Sequence, residues 1–510
     1  MSLMNMITAA TTPQIALAYD SEVQKLFPAA PLVNNKILLP HDVLTTKVLS
    51  NIGYDVPSSL THYKWPSDRA PFEVQVKTVE MLIHHQRAYV LSSMGVGKTS
   101  CPIWAFDLLK KQGYANKMIV VAPLSTLSFV WLREIFYSAP HLKAVVLHGS
   151  REKRRDLLKT DADIYIINHD GIPTVIDILL KRTDIDVMVL DELAVYRNNS
   201  KRTRMMIHLA QHKPTVWGMT GAPTPNSPCD VYQQAKIITP DRVPKYFGRF
   251  RDELMLKVSP FKWVAKKDAT QKAFDALQPS VRFVLEDVTE LPPYVSRRID
   301  IPMGKKQAHV YEEMRKHAFS LVGQHKITAA NAGAVLSKLL QISSGWVYSK
   351  AKGIVALDND GRVTTVVDLV EASDSKLIVF AAFKSALDGL SKALTAADYD
   401  NIIVSGDTPA HERDRIFHAF QNTLQYKVLV AHPQCLAHGI TLTRANTVVW
   451  FTPITSLEIY DQANARIRRV GQATKQQFIH LQSSKTEDKI YGLLINKGDI
   501  QSQLLTMFES

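Results

Sequence analysis

The chain has 510 residues, 46% hydrophobic and 21% charged, with 61 lysines and arginines against 48 aspartates and glutamates. That length calls for about two to four domains, and that balance, with no low-complexity tract, is that of a soluble globular protein and excludes a mainly disordered chain. A formal charge of +13 favours a polyanionic partner, because each phosphate neutralised releases counterions.

Cys101, Cys229 and Cys435 lie far apart with no Cys-x-x-Cys spacing, so neither a disulfide framework nor a zinc ribbon is indicated. The longest apolar runs, such as "MIVVAP" and "TVVWF", are strand-sized and well short of the roughly 20 residues of a membrane span. The first residues show no basic stretch leading into an apolar one, so no signal peptide is read and the expected location is cytoplasmic.

Residues 1–70 carry several prolines and weak periodicity, as expected of a small separate N-terminal module or a lobe extension. From Ala88 to Pro223, "AYVLSS", "KMIVVAP", "KAVVLHG", "DIYIINH", "VMVLDE" and "TVWGMTG" are each of strand length and rich in Val and Ile. Between them lie helix-like segments such as "CPIWAFDLLKKQ" and "TLSFVWLREIFY". That alternation predicts a parallel sheet covered on both faces.

A second set follows: "KLIVFAA", "NIIVSG", "KVLVAHP", "TVVWFTP" and "QFIHLQ", separated by "KSALDGLSKALTAA" and "ERDRIFHAFQN". The stretch between the two sets is basic and aromatic and ends at "ELPPYV", whose paired prolines resist helix and central strand. The expected organisation is α/β, with a module at 1–70, a first lobe at 71–240, an inserted subdomain and linker at 241–300, and a second lobe at 301–510.

"SSMGVGKTS", residues 92–100, follows an apolar strand and precedes a helical pattern, the context of a phosphate-binding loop. Such a loop wraps phosphates with backbone N–H groups and a helix N-terminus, with glycine wherever a side chain would block close approach. Gly95 and Gly97 supply the bends, Lys98 reaches the β and γ phosphates, and Thr99 ligates magnesium through its hydroxyl. Ser92 replaces the first glycine of the usual pattern, which costs little if its backbone is an ordinary one. Asp191 and Glu192 end the run "VMVLDE", where acidic side chains face the crevice at the carboxyl end of a parallel sheet. Asp191 is the expected magnesium carboxylate and Glu192 the group that polarises the attacking water.

Taken in order, "FEVQ", "SSMGVGKTS", "APLSTLSFVWLREI", "DELAVYRNNSKRT", "MTGAPTPNS", "LVAHPQCLAHGITLTRANTVVWF" and "YDQANARIRRVGQ" resemble the motifs of superfamily-two helicases of the Swi/Snf type. The likeness spans about residues 70–500 and is greatest to compact phage and prophage members related to annealing helicases. It implies two tandem RecA-like lobes. It also implies that Gln75 reads the adenine edge and that Met94, Gly95, Val96, Gly97, Lys98, Thr99 and Ser100 form the ATP phosphate loop with Mg2+.

Thr220 and Gly221, with Gly439 of the second lobe, would couple nucleotide state to the nucleic-acid track. Gln462, Arg466 and Arg469 of "QANARIRR" match the motif whose arginines reach the γ phosphate, and the two arginines are expected three apart on one helix face. One departure is Ala194, where many relatives carry a histidine linking hydrolysis to "MTGAP". Thr441 stands where Asn is common, and "SSMG" replaces an acidic "DEMG".

The implied activity is a DNA-dependent ATPase and translocase or helicase that remodels duplex, forked or branched DNA, by branch migration or annealing, in phage replication or recombination. Two alternatives remain open: a helicase acting on RNA or polymerase complexes, and a clamp that binds ATP without turning it over. Histidines 84, 85, 432 and 438 lack a companion ligand cluster and are expected on helix surfaces or in packing. The basic run "NSKRTR" is a candidate phosphate contact.

Overall fold

The computed structural model describes residues 5–7, 13–225, 227–259, 262–323, 329–349, 353–436 and 440–496. The chain divides into two compact units, residues 1–284 and 285–510.

The first unit is built around seven strands that all pair in parallel. Their order is Ser280–Val281, Arg87–Val90, Thr215–Met219, Ile185–Leu190, Lys117–Ala122, Ile164–Asn168 and Ala144–Leu147. The central strands are apolar on both faces because helices cover both, which is why they read as continuous Val and Ile runs rather than alternating ones. The helix Ser100–Lys111 is buried from Ser100 to Leu109, as expected of a helix that is apolar almost all round.

The N-terminal module forms an antiparallel sheet in the order Asn5–Ile7, Gln14–Ala18, Lys36–Pro40, Leu32–Val33. Its own small core gathers Ile15, Leu17, Val23, Ile37, Leu39 and Leu49. Polar contacts fasten the segment that follows to the helix Ser100–Lys111 and its end: Val43 N–H donates to Gln112 Oε1 at 3.0 Å and Tyr63 OH to Asp107 Oδ2 at 2.6 Å.

The basic and aromatic stretch holds the helix Phe247–Leu254, a hairpin of Met255–Ser259 with Lys262–Ala265, and the helix Ala269–Ala276. Its end then contributes a strand to each sheet, Ser280–Val281 to the first and Tyr294–Asp300 to the second. Tyr294–Asp300, "YVSRRID", is largely exposed and carries three charges. Parallel pairing with Gln476–Gln482 along its whole length supplies the order that its own apolar content does not.

The second unit has a six-stranded sheet, also parallel at every pairing, in the order Tyr294–Asp300, Gln476–Gln482, Ala445–Trp450, Lys376–Phe380, Val428–Ala431, Asn401–Val404. A buried ion pair ties its helices Asp360–Glu371 and Lys485–Ile495 together: Arg362 donates to both carboxylate oxygens of Glu487, at 3.0 and 2.9 Å, and to the Phe451 carbonyl. The fold is therefore α/β with two RecA-like lobes. Among the described residues no helix is long and apolar enough to cross a membrane.

Candidate functional site

Three neighbouring strands of the first sheet carry the candidate residues at their carboxyl ends. Arg87–Val90 runs into the phosphate loop, Thr215–Met219 into Thr220 and Gly221, and Ile185–Leu190 into Asp191. The register Val90↔Met219 and Leu190↔Gly218 sets these ends side by side, at the edge where α/β sheets bind ligands.

In the loop, Gly95 and Gly97 have φ of +90° and +73°, a region that L side chains avoid. Ser92 has no such φ, so the position does not demand glycine. Its buried hydroxyl accepts the Phe283 N–H at 3.1 Å. Val96 is buried, and Lys98 Nζ rests on the Ser92 carbonyl at 3.3 Å. A Cβ on Gly221 would lie 3.6 Å from Lys98 Nζ and 3.9 Å from the Met94 N, which puts the "MTGAP" turn directly against the loop. Thr220 is buried, and its hydroxyl accepts the Ala222 N–H at 3.3 Å. Thr99 precedes the helix Ser100–Lys111 without spending its side chain on a cap.

Gln75 is engaged at both ends of its amide. Its Oε1 accepts the Phe72 N–H at 2.9 Å and its Nε2 donates to the Gly97 carbonyl at 2.9 Å. It thereby braces the start of the helix Glu73–His84 on the phosphate loop.

Asp191 is buried, and burial pushes its carboxyl above the ordinary carboxylate range, against the pull of Lys98 and of its hydrogen bonds. Its Oδ1 accepts the Glu192 N–H at 3.0 Å, and its Oδ2 accepts the Trp131 indole N–H at 2.8 Å. Glu192 has φ +54°, ψ +52°, a left-handed conformation that costs a non-glycine residue on the order of 1–3 kcal/mol and clusters at functional sites. Ala194, in the following turn, is buried.

A hydroxyl at a helix start and a buried carboxylate form a hard-oxygen donor pair, with the Lys98 cation beside them for phosphate charge. It suits magnesium, which takes one or two protein ligands and completes its shell with phosphate and water.

Trp131 is a member of this site that sequence reasoning did not single out. It lies in a π-helical turn, Leu127–Leu132, that leads into the helix Arg133–Ser138. The only sequence signal was a tryptophan inside "TLSFVWLREIFY", indistinguishable there from a core residue.

In the second unit, Gln462, Arg466 and Arg469 come together. The helix Leu457–Asn464 stops before both arginines, so the expected shared helix face is corrected: they lie in the turns beyond it. Arg466 Nε donates to the Gln462 carbonyl at 2.8 Å, taking up an acceptor left open at the helix C-terminus. Arg466 and Arg469 nonetheless converge, both donating to the Ile440 carbonyl, at 3.1 and 3.0 Å. Gly439 and His438 lie outside the described residues. In the run "NSKRTR", Arg202 pairs with Asp170.

The SNF2-related domain matches residues 72–345 of this chain, and the helicase conserved C-terminal domain matches residues 361–471. Putative protein p41 of Acyrthosiphon pisum secondary endosymbiont phage 1 is 26% identical over 79% of this chain and 89% of its own length. The human DNA annealing helicase and endonuclease ZRANB3 is 23% identical over 93% of this chain and 44% of its own. An uncharacterized ATP-dependent helicase of Mycoplasma pneumoniae is 23% identical over 96% and 46%. The chain thus spans under half the length of these two relatives. The Sulfolobus solfataricus SWI2/SNF2 ATPase core in complex with dsDNA aligns at a TM-score of 0.41 and 22% identity, over 86% of this chain and 95% of that one. With more than half of its residues matched by the SNF2-related domain, the chain belongs to that family of helicase-like ATPases.

Proposed function

We propose that this chain is a DNA-dependent ATPase that translocates along DNA and remodels duplex, forked or branched structures in phage replication or recombination. The carrying observation is the meeting of the phosphate loop, Gly221 and Asp191 on adjacent strand ends, with Lys98 and Asp191 close enough to interact. The charge of +13 and the likeness to an annealing helicase support DNA as the track.

In this reading the backbone N–H groups of the loop cradle the phosphates, and Lys98 leaves the Ser92 carbonyl to pair with them. Thr99 and Asp191 would hold Mg2+, which neutralises phosphate charge when bound. Glu192 orients the attacking water and takes its proton. Arg466 and Arg469 stabilise charge on the transferring phosphoryl group. Gly221, set against the loop, and Thr220 beside it pass the change in occupancy to the DNA track. Hydrolysis removes the γ phosphate from these contacts, and each cycle becomes a step along the backbone.

The test is phosphate release with single strands, duplex, a fork and a four-way junction, with RNA alongside. Stimulation by duplex or branched DNA supports the reading. Stimulation by RNA alone, or turnover indifferent to nucleic acid, overturns it.

A further inference from the structure

Two side chains of the segment Leu127–Ser138 reach Asp191 and the residue that follows Thr99. Trp131, with no exposed surface, donates its indole N–H to Asp191 Oδ2 at 2.8 Å. Glu134, three residues on, accepts the hydroxyl of Ser100 at 2.5 Å, and Ser100 is the residue after Thr99. The same Glu134 oxygen accepts Ser138 Oγ at 2.9 Å, and the Ser138 carbonyl accepts the Trp104 indole N–H at 3.0 Å. One short segment therefore grips the loop's helix at two points and the acidic strand end at a third.

Other buried indoles of this unit give their N–H to backbone carbonyls, Trp104 to Ser138 and Trp217 to His85. Trp131 gives its own to a carboxylate. With the Glu192 N–H on Oδ1 and the indole on Oδ2, both oxygens of Asp191 are held and the carboxylate plane cannot turn. Each oxygen keeps a second lone pair, so the grip does not compete with a cation. The π-helical turn that carries Trp131 is a rare form of backbone that recurs at functional sites.

We propose that Trp131 and Glu134 are positioning residues for the magnesium site: the segment between them fixes the Asp191 carboxylate relative to the Thr99 hydroxyl. This rests on the reading of Asp191 and Thr99 as the magnesium residues. Hydrogen-bonding partners of metal ligands typically contribute 10–100-fold to metal affinity.

The experiment measures binding of a fluorescent ADP analogue to the full chain, first in EDTA and then across a Mg2+ titration, with no turnover involved. Trp131→Phe keeps the ring and removes the N–H. The Mg2+ concentration that half-maximally tightens ADP should rise about tenfold or more, with metal-free affinity unchanged. Glu134→Ala, at a half-exposed position, should shift the same midpoint in the same direction. It carries the test alone if thermal unfolding shows that Trp131→Phe does not fold. Asp191→Asn should abolish the Mg2+ response. If Asp191→Asn abolishes it while the folded positioning variants titrate like the parent, the positioning role is overturned and the metal reading survives. If Asp191→Asn itself responds normally to Mg2+, the metal reading fails and the proposal falls with it.

Discussion

Ser92, where a phosphate loop usually begins with glycine, binds through its hydroxyl the backbone N–H of Phe283, 191 residues away in sequence, at 3.1 Å. Around it the Leu91 N–H donates to the Val281 carbonyl and the Ser93 N–H to the Phe283 carbonyl, each at 2.8 Å. The loop is thus stitched to the last residues of the first unit, and the serine contributes a bond that glycine cannot.

Ser92→Gly should therefore leave nucleotide affinity near the parent value, since no phosphate contact is lost, and destabilise the first unit by about 1 kcal/mol. Thermal unfolding reads the destabilisation, and faster amide exchange at Phe283 locates it. A loss of nucleotide binding by orders of magnitude would instead make Ser92 a phosphate ligand.

Gly97→Ala meets two obstacles. Its φ of +73° costs a side chain about 1–2 kcal/mol, and the new Cβ would lie 2.4 Å from Gln75 Nε2. Nucleotide affinity and stability should both fall. Adding Gln75→Ala should restore part of the stability by removing the clash, while the backbone strain persists. A double variant no better than the single one would show that the clash is not the cause.

The strand runs of both lobes were legible because central parallel strands are apolar on both faces, and all eleven quoted runs contain strands of the two sheets. Gly95 and Gly97 were legible because only glycine takes those backbone angles readily. Trp131 was not, because its role depends on a partner 60 residues away that no local pattern marks. The end of the helix at Asn464 was missed because the residues beyond it carry no glycine or proline until Gly471, and the contact that accompanies the end, Arg466 Nε on the Gln462 carbonyl, has no mark in the sequence. Tyr294–Asp300 was missed because its order comes from its neighbour strand rather than from its own residues.

His480 has no exposed surface and uses both ring nitrogens, with Tyr460 OH 2.8 Å from Nε2 and the Arg297 carbonyl 3.3 Å from Nδ1. A neutral ring with its proton on Nδ1 satisfies both partners. Burial pushes its pKa down to about 4, below the ordinary value near 6.5. Between those values the unfolded chain binds the proton more readily, so stability falls as pH drops through this window, by up to about 3 kcal/mol. Urea unfolding of His480→Gln should lack this component. Parallel pH curves for parent and variant between pH 7 and pH 4 would refute it.

Lys98→Ala should remove nearly all turnover while leaving DNA binding intact, because the phosphate loop loses its side-chain cation while the rest of the chain's positive charge excess is unchanged. DNA affinity in both proteins should fall by roughly 10³ or more between 50 and 200 mM salt, as expected of several phosphate contacts. A flat salt response, or parent-like turnover in the variant, would contradict the assignment.

Arg469 and Arg466 share the Ile440 carbonyl as an acceptor, and Arg466 is buried and also bound to the Gln462 carbonyl. The two arginines are thereby unequal. Arg466 is woven into the end of its helix, so Arg466→Ala should lower the stability of the second unit as well as turnover. Arg469 is half-buried, where Arg466 is buried. Arg469→Ala should leave the melting temperature and nucleotide affinity close to the parent. It should lower single-turnover hydrolysis at saturating DNA by roughly 10³-fold or more, the scale of an arginine that stabilises a transferring phosphoryl group. Arg469→Lys should recover little, since an ammonium cannot reproduce the two-pronged geometry of a guanidinium. If hydrolysis persists in Arg469→Ala and only DNA affinity falls, Arg469 is a DNA contact and the phosphoryl role passes to Arg466 or to none.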